Sequence, residues 1–213
     1  MVEERSFVAE QFEDAEQQFE AAHLGMWTFL ATEILFFGGL FMAYITYRHA
    51  YPDGFAAGSR HTDLFYGTFN TVVLLTSSLT MALAVHAAQQ DKTKSLVRCL
   101  LMTLGFAAAF LVVKGFEYHK DIVEKLLPGP SFLPALAPKA EIFFYLYWAM
   151  TGLHACHVLA GVGVLSVITW LARRGRFSRR YHTPVEVAGL YWHFVDIVWI
   201  FLYPLLYLID RHA

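Results

Sequence analysis

Five apolar stretches, each longer than the roughly 20 residues that carry a helix across a hydrocarbon core, divide this chain. They run approximately from Leu24 to Tyr47, Phe65 to Ala88, Leu96 to Tyr118, Glu141 to Leu171 and Val185 to Ile209. Charged clusters separate them. With 57% of residues hydrophobic and only 16% charged, the chain falls outside the range of ordinary soluble domains. In lipid every backbone polar group must be paired internally, which leaves helices or closed barrels, and the strict alternation of barrel strands is missing. The expected fold class is all-α: one bundle of five transmembrane helices within residues 23–213, preceded by an acidic segment at 1–22.

The net charge of −2 gives no sign of nucleic-acid binding, but the distribution of charge suggests an orientation. ARRGRFSRRYHT holds Arg173, Arg174, Arg176, Arg179 and Arg180, and QQDKTKS holds Lys92 and Lys94, with Arg98 just inside the next span. Five crossings put both connections on the side of the N-terminus. The positive-inside rule makes that side cytoplasmic and places the C-terminal IDRHA outside. The opening residues MVEERSFVAEQFEDAEQQFEAA are acidic and lack the apolar core of a cleavable signal, so the first span is expected to serve as an uncleaved one. Val8, Phe12, Ala15 and Phe19 recur there at helical spacing, which predicts a short amphipathic helix. Its acidic face favours a protein partner over anionic lipid. Cys99 and Cys156 fall within spans and read as small apolar residues, not as a disulfide.

An ionisable side chain in the bilayer costs at least about 3 kcal/mol on insertion scales, so each needs a partner or a purpose. At about 1.5 Å per residue, Glu33 lies about 14 Å, His193 about 12 Å and Asp196 about 16 Å from the cytoplasmic ends of their spans. These three share a depth near mid-membrane. His154 and His157 come out higher, at about 25 and 21 Å. They stand three apart on one helix face and are followed by Ala160, Gly161 and Gly163, small residues that permit close helix contact. Glu117 and Tyr118 close the third span, where water or headgroups would solvate them. Asn70, Thr71, Thr76, Ser77, Ser78, Thr80 and His86 form a polar stripe on the second span, suited to hydrogen bonds between helices.

Several readings of these groups stand side by side. A haem held between two helices needs ligands at matching depth, which His154, His157 and His193 do not provide. A metal site would use His with Glu or Asp, but no dedicated metal-ligand spacing is present. A proton or ion path would need a chain of such groups through the bilayer. The reading the residues favour is a set of hydrogen-bonded fasteners in a packed bundle, with Glu33 a protonated or paired structural carboxyl. Trp27, Trp148, Trp170 and Trp192 lie near span ends and read as interfacial anchors.

YWHFVDIVWIFLY (191–203), TGLHACHVLAG (151–161), TEILFFGGLF (32–41), FNTVVLLTSSLTMALAVHAA (69–88) and FEYHKD (116–121) resemble subunit III of the haem-copper terminal oxidases, especially of cytochrome c oxidase. The resemblance spans nearly all five helices. It implies an accessory subunit without catalytic residues or a metal of its own, in a bacterial cytoplasmic membrane. Haem and copper are then expected in its partners, the catalytic subunit I and subunit II. Glu33 looks like the family's intramembrane carboxylate that reacts with carbodiimide. His154, His157, His193 and Asp196 match its polar bundle signature, in which Glu117 and His86 are also counted. The implied role is to support proton uptake, to protect the catalytic subunit from turnover inactivation and to hold phospholipid. For the last, Arg173, Arg174, Arg176 and Arg180 are candidates for the headgroups. Longer relatives carry two further N-terminal helices that form a lipid cleft, whereas this chain starts at the third. Subunit III of a quinol oxidase or of a nitric oxide reductase-associated relative is the alternative within the resemblance. An independent proton channel or transporter is the alternative from another class, against which weak inverted-repeat character and the lack of broken helices argue.

Overall fold

The computed structural model describes residues 8–209 apart from 131, 133–135, 137 and 180. Six α-helices follow one another: α1 (Ala15–Ala50), α2 (Pro52–His61), α3 (Leu64–Gln89), α4 (Thr93–Val123), α5 (Ala140–Arg173) and α6 (Thr183–Tyr203). All but α2 are long and apolar enough to cross a membrane, which makes the chain a multi-pass helical membrane protein.

The helix ends follow from local chemistry. Asp14 caps α1 by accepting the Gln17 N–H at 2.8 Å. Residues 15–22 therefore run straight into the first span, while residues 8–14 form turns and bends. The separate amphipathic helix expected on Val8, Phe12, Ala15 and Phe19 is not formed in the described part, because the cap breaks that register at Asp14. α3, α4 and α5 end alike: the N–H groups of Lys92, Leu126 and Arg176 reach back to the carbonyls of Ala87, Asp121 and Leu171 at 2.9, 2.9 and 3.2 Å. This closure needs one left-handed residue. Gly175 provides it after α5 at φ 67°, but Asp91 and Lys125 do so at 57° and 58° in the other two, so only one of the three stops carries the usual glycine signal. Pro204 ends α6 by removing a donor, and the chain continues as a π-helical turn, Pro204–Leu208.

α6 is the most buried span and α1 the least. α3 packs on α4 and α6, and α5 packs on α4, α6 and α2, whereas α1 touches chiefly α5 and α6 from outside. α5 and α6 approach closely at Gly161, where a Cβ would lie 2.7 Å from Cζ3 of Trp192. Ala160 is exposed and a Cβ on Gly163 would meet nothing within 4 Å, so of the small residues expected to form a contact face only Gly161 does so. The reason is angular: residues 160 and 163 lie about 100° and 200° round the helix from 161. The sequence pattern does not announce α2. Pro52 opens it with a preset φ, and its Phe55 is buried edge-on between Tyr44 and Phe143.

Candidate functional site

The polar stripe of α3 does join helices. Thr71 accepts the indole N–H of Trp199 and Ser77 that of Trp192, both at 3.0 Å. Ser78 bonds Nδ1 of His193 at 2.7 Å, and Thr80 meets Thr103 of α4 at 2.8 Å. Trp192 is therefore a buried core residue bonded across the bundle; the expected interfacial anchor is not there. His86 is also corrected. It is exposed near the end of α3, and among the described residues its side chain bonds only Gln90, one turn on, so it lies outside the polar interior. Asp196 is 3% exposed and lies beside Ser78 with neither oxygen in hydrogen-bonding geometry. Asn70 is fully buried, and its amide finds no partner among the described residues.

Glu33 meets a histidine, but not the one expected. Its Oε2 stands 3.0 Å from Nε2 of His157, while His193 is engaged by Ser78. Depths counted from the ends of the apolar stretches misplace them, because helices outrun those stretches. Counted from Ala15 and Arg173, Glu33 and His157 lie about 27 and 24 Å in, which matches. His157 Nδ1 is 2.8 Å from the Leu153 carbonyl, which only accepts, so this nitrogen carries a hydrogen. Glu33 and Nε2 consequently share one proton, as a neutral carboxyl donating to the ring or as an ion pair. His154, one turn earlier, is fully buried against Phe110 and Trp199 and donates from Nε2 to the Val195 carbonyl at 3.1 Å. The two histidines thus serve different contacts, α5 with α1 and α5 with α6.

The largest correction concerns Glu117. It is fully buried, as is Lys114, and Asp121 is 4% exposed. Lys114 Nζ donates to Glu117 Oε2 at 3.0 Å and to the hydroxyls of Tyr147 and Tyr207 at 3.1 and 2.7 Å. Tyr207 donates to Glu117 Oε1 at 2.6 Å, and the Tyr147 oxygen lies 2.8 Å from Glu117 Oε1 and 3.0 Å from Asp121 Oδ2. Solvation by headgroups fails because α5 and the π turn close over this end of α4. Lys114 and Asp121 escaped notice in the sequence, although positions 114, 117 and 121 fall on one face of a helix. The tyrosines that complete the cluster come from 26 and more residues away and leave no local signal.

At the opposite ends of the spans, Arg173, Arg174 and Arg176 are exposed, and Arg174 stacks 3.7 Å above the ring of the half-exposed Trp170. The Arg179 backbone N–H donates to Asp91 Oδ1, which ties the two basic connections together. Arg180 lies outside the described residues. Cys99 is buried and Cys156 exposed, and both are free thiols. Among the described residues no three His, Cys, Asp or Glu side chains gather as a metal-binding set.

These features define a class: a five-span membrane protein whose intramembrane polar groups are turned chiefly toward one another. The particular family comes from comparison. Residues 13–210 match the family of cytochrome c oxidase subunit III, and the chain belongs to it, as a subunit III of the haem-copper oxidases. A cytochrome c oxidase subunit 3 of Thermostichus vulcanus is 33% identical over 189 residues, covering 88% of this chain and 87% of the relative. A probable quinol oxidase subunit 3 of Staphylococcus aureus strain USA300 is 30% identical over 195 residues, 89% of this chain and 90% of the relative. A heme-copper oxidase subunit I+III of Aeropyrum pernix is 32% identical over 194 residues, 86% of this chain and 22% of that longer protein.

Proposed function

We propose that this chain is the accessory, non-redox subunit of a proton-pumping terminal oxidase in a bacterial cytoplasmic membrane, seated against the catalytic subunit I and in complex with subunit II. Haem and copper belong to those partners. The observation that carries this is the outer face of α1, where Leu24, Trp27, Ile34, Leu35, Met42 and Ile45 are each more than half exposed. Such a face needs lipid or another helix over it, and the Aeropyrum pernix relative, named subunit I+III, joins the corresponding segment to a subunit I in one chain. The electron donor, cytochrome c or quinol, is chosen by the other subunits; relatives named for both cover this chain to a similar extent, 88 and 89%.

In this reading the N-terminus and the two basic connections face the cytoplasm and the C-terminus faces outward. Arg173, Arg174, Arg176 and Arg180 meet phospholipid phosphates there, each worth about 1 kcal/mol with anionic lipid. The stacking of Arg174 on Trp170 supports this, since an interfacial indole holds its guanidinium at headgroup level. The subunit supports proton uptake by subunit I and prolongs its working life.

Purification through a C-terminal tag in mild detergent, followed by an optical spectrum and identification of co-purifying chains, tests the proposal. Haem-bearing subunits in fixed ratio are expected. A folded, colourless protein that elutes alone overturns it, and proton flux into liposomes abolished by Glu33→Gln would then establish the channel reading.

A further inference from the structure

We propose that the buried cluster at the C-terminal end of α4 is a proton-holding site, and that its exchangeable proton sits on Asp121. The inference stands independently of the oxidase assignment, because it follows from counting hydrogens. The lysine ammonium has three, and all are spent: on Glu117 Oε2, on the Tyr147 hydroxyl and on the Tyr207 hydroxyl. The Tyr207 hydrogen goes to Glu117 Oε1 at 2.6 Å. One hydrogen then remains, that of Tyr147, and it faces two carboxyl oxygens, Glu117 Oε1 at 2.8 Å and Asp121 Oδ2 at 3.0 Å.

A single hydroxyl hydrogen cannot serve both, and the contact left over would set two lone pairs against each other in a buried place. One more hydrogen resolves it. Glu117 receives a donor at each oxygen and is held ionised, whereas Asp121 has only Tyr147, so the extra hydrogen belongs on Asp121, which donates to the phenol oxygen. Every donor in the cluster is then paired. The charge also balances: the Lys114 cation and the Glu117 anion cancel, and Asp121 adds none, as burial away from water requires. The charged and titratable groups facing Asp121 are Lys114 and Glu117 on its own helix, Glu124 at the C-cap of that helix and Tyr147 on α5, with Tyr207 of the π turn acting through Glu117.

Removing the hydrogen would leave a second buried anion that competes with Glu117 for the single hydroxyl hydrogen of Tyr147, on the last helical turn before Glu124, at the cluster position nearest the end of α4. Asp121 is accordingly where a proton enters and leaves, and the tyrosine bonds that join α4, α5 and the π turn follow its state.

The test is an infrared difference spectrum at neutral pH between wild type and Asp121→Asn, each purified from membranes with whatever chains accompany it. The asparagine amide can donate to Tyr147 as the carboxyl does, so the fold is retained. Loss of one protonated-carboxyl carbonyl band per chain, with carboxylate bands unchanged, is the expected result. Loss of a carboxylate band, or no change in the carboxyl region, overturns the proposal. Should Asp121→Asn not accumulate, Tyr147→Phe with carbonyl-labelled aspartate gives the same decision. A shifted aspartic-acid carbonyl band supports the site, and movement confined to carboxylate bands sinks it.

Discussion

Glu33 on α1 and His157 on α5 hold a single proton between them, 3.0 Å apart, because the other ring nitrogen of His157 is spent on the Leu153 carbonyl. α1 is the most loosely held span, so this bond is a principal polar tie between it and the bundle. Glu33→Gln keeps a donor facing Nε2 and should leave thermal stability in mild detergent within measurement error. Glu33→Leu strands Nε2 and should cost about 0.5–1.5 kcal/mol. Equal melting temperatures for the two variants would show that the pair does not hold α1.

The lysine cluster should respond steeply to the loss of one partner. Lys114→Met leaves Glu117 as a buried anion without its counter-charge and should destabilise by about 3–5 kcal/mol. Removing both charges together, in Lys114→Met/Glu117→Met, should restore most of that loss, since a buried pair is costly chiefly when halved. Circular dichroism melts of the two variants provide the comparison, and a double variant no better than the single one would count against charge compensation.

Two glycines two residues apart should behave oppositely. Gly161→Ala forces a methyl against the ring of Trp192, 2.7 Å from Cζ3, and should cost about 1–3 kcal/mol by pushing α5 from α6. Gly163→Ala meets nothing within 4 Å and should be neutral, or stabilising by up to about 1 kcal/mol from helix propensity. Melting temperatures that move in the same direction would refute this placement of the contact.

Asp63 caps α3, accepting the Phe65 N–H at 3.0 Å, and pairs with Lys120 at 2.7 Å. Partial burial pushes its carboxyl up, but the Lys120 ammonium and the backbone N–H groups outweigh this and hold it below the ordinary 3.8. A lowered folded value means stability present above about pH 4 and lost as pH falls through that lowered value. Asp63→Ala should cost about 0.5–2 kcal/mol at neutral pH, mostly as a lost cap, while Asp63→Asn keeps the cap and should cost less than about 1 kcal/mol. The wild-type advantage over Asp63→Asn should vanish on acidification, which melts across an acid series will show.

How far the site was legible in the sequence depends on where each residue's partner lies. The stripe from Thr71 to Thr80 could be read as a helix contact because its period is contained in one segment, and the structure gives it Trp192, Trp199, His193 and Thr103 as partners. His86 shares the stripe's chemistry but lies about 180° round the helix from the buried Ser77, so it faces outward even though Ala84, Ala87 and Ala88 beside it are packed. Glu117 read as a solvated end residue because FEYHKD is charged. Only the arrival of Tyr147 and Tyr207 from distant segments turns that end of α4 inward.

The sequence by itself determined the five crossings and the all-α class, because the demand that backbone groups be paired in lipid acts on each segment separately, and its motifs carried the family resemblance. Which polar side chains meet was decided by tertiary structure alone. Helix ends, tilts and rotations bring Glu33 to His157 and Lys114 to Tyr207, and those quantities depend on packing between segments that share no local period.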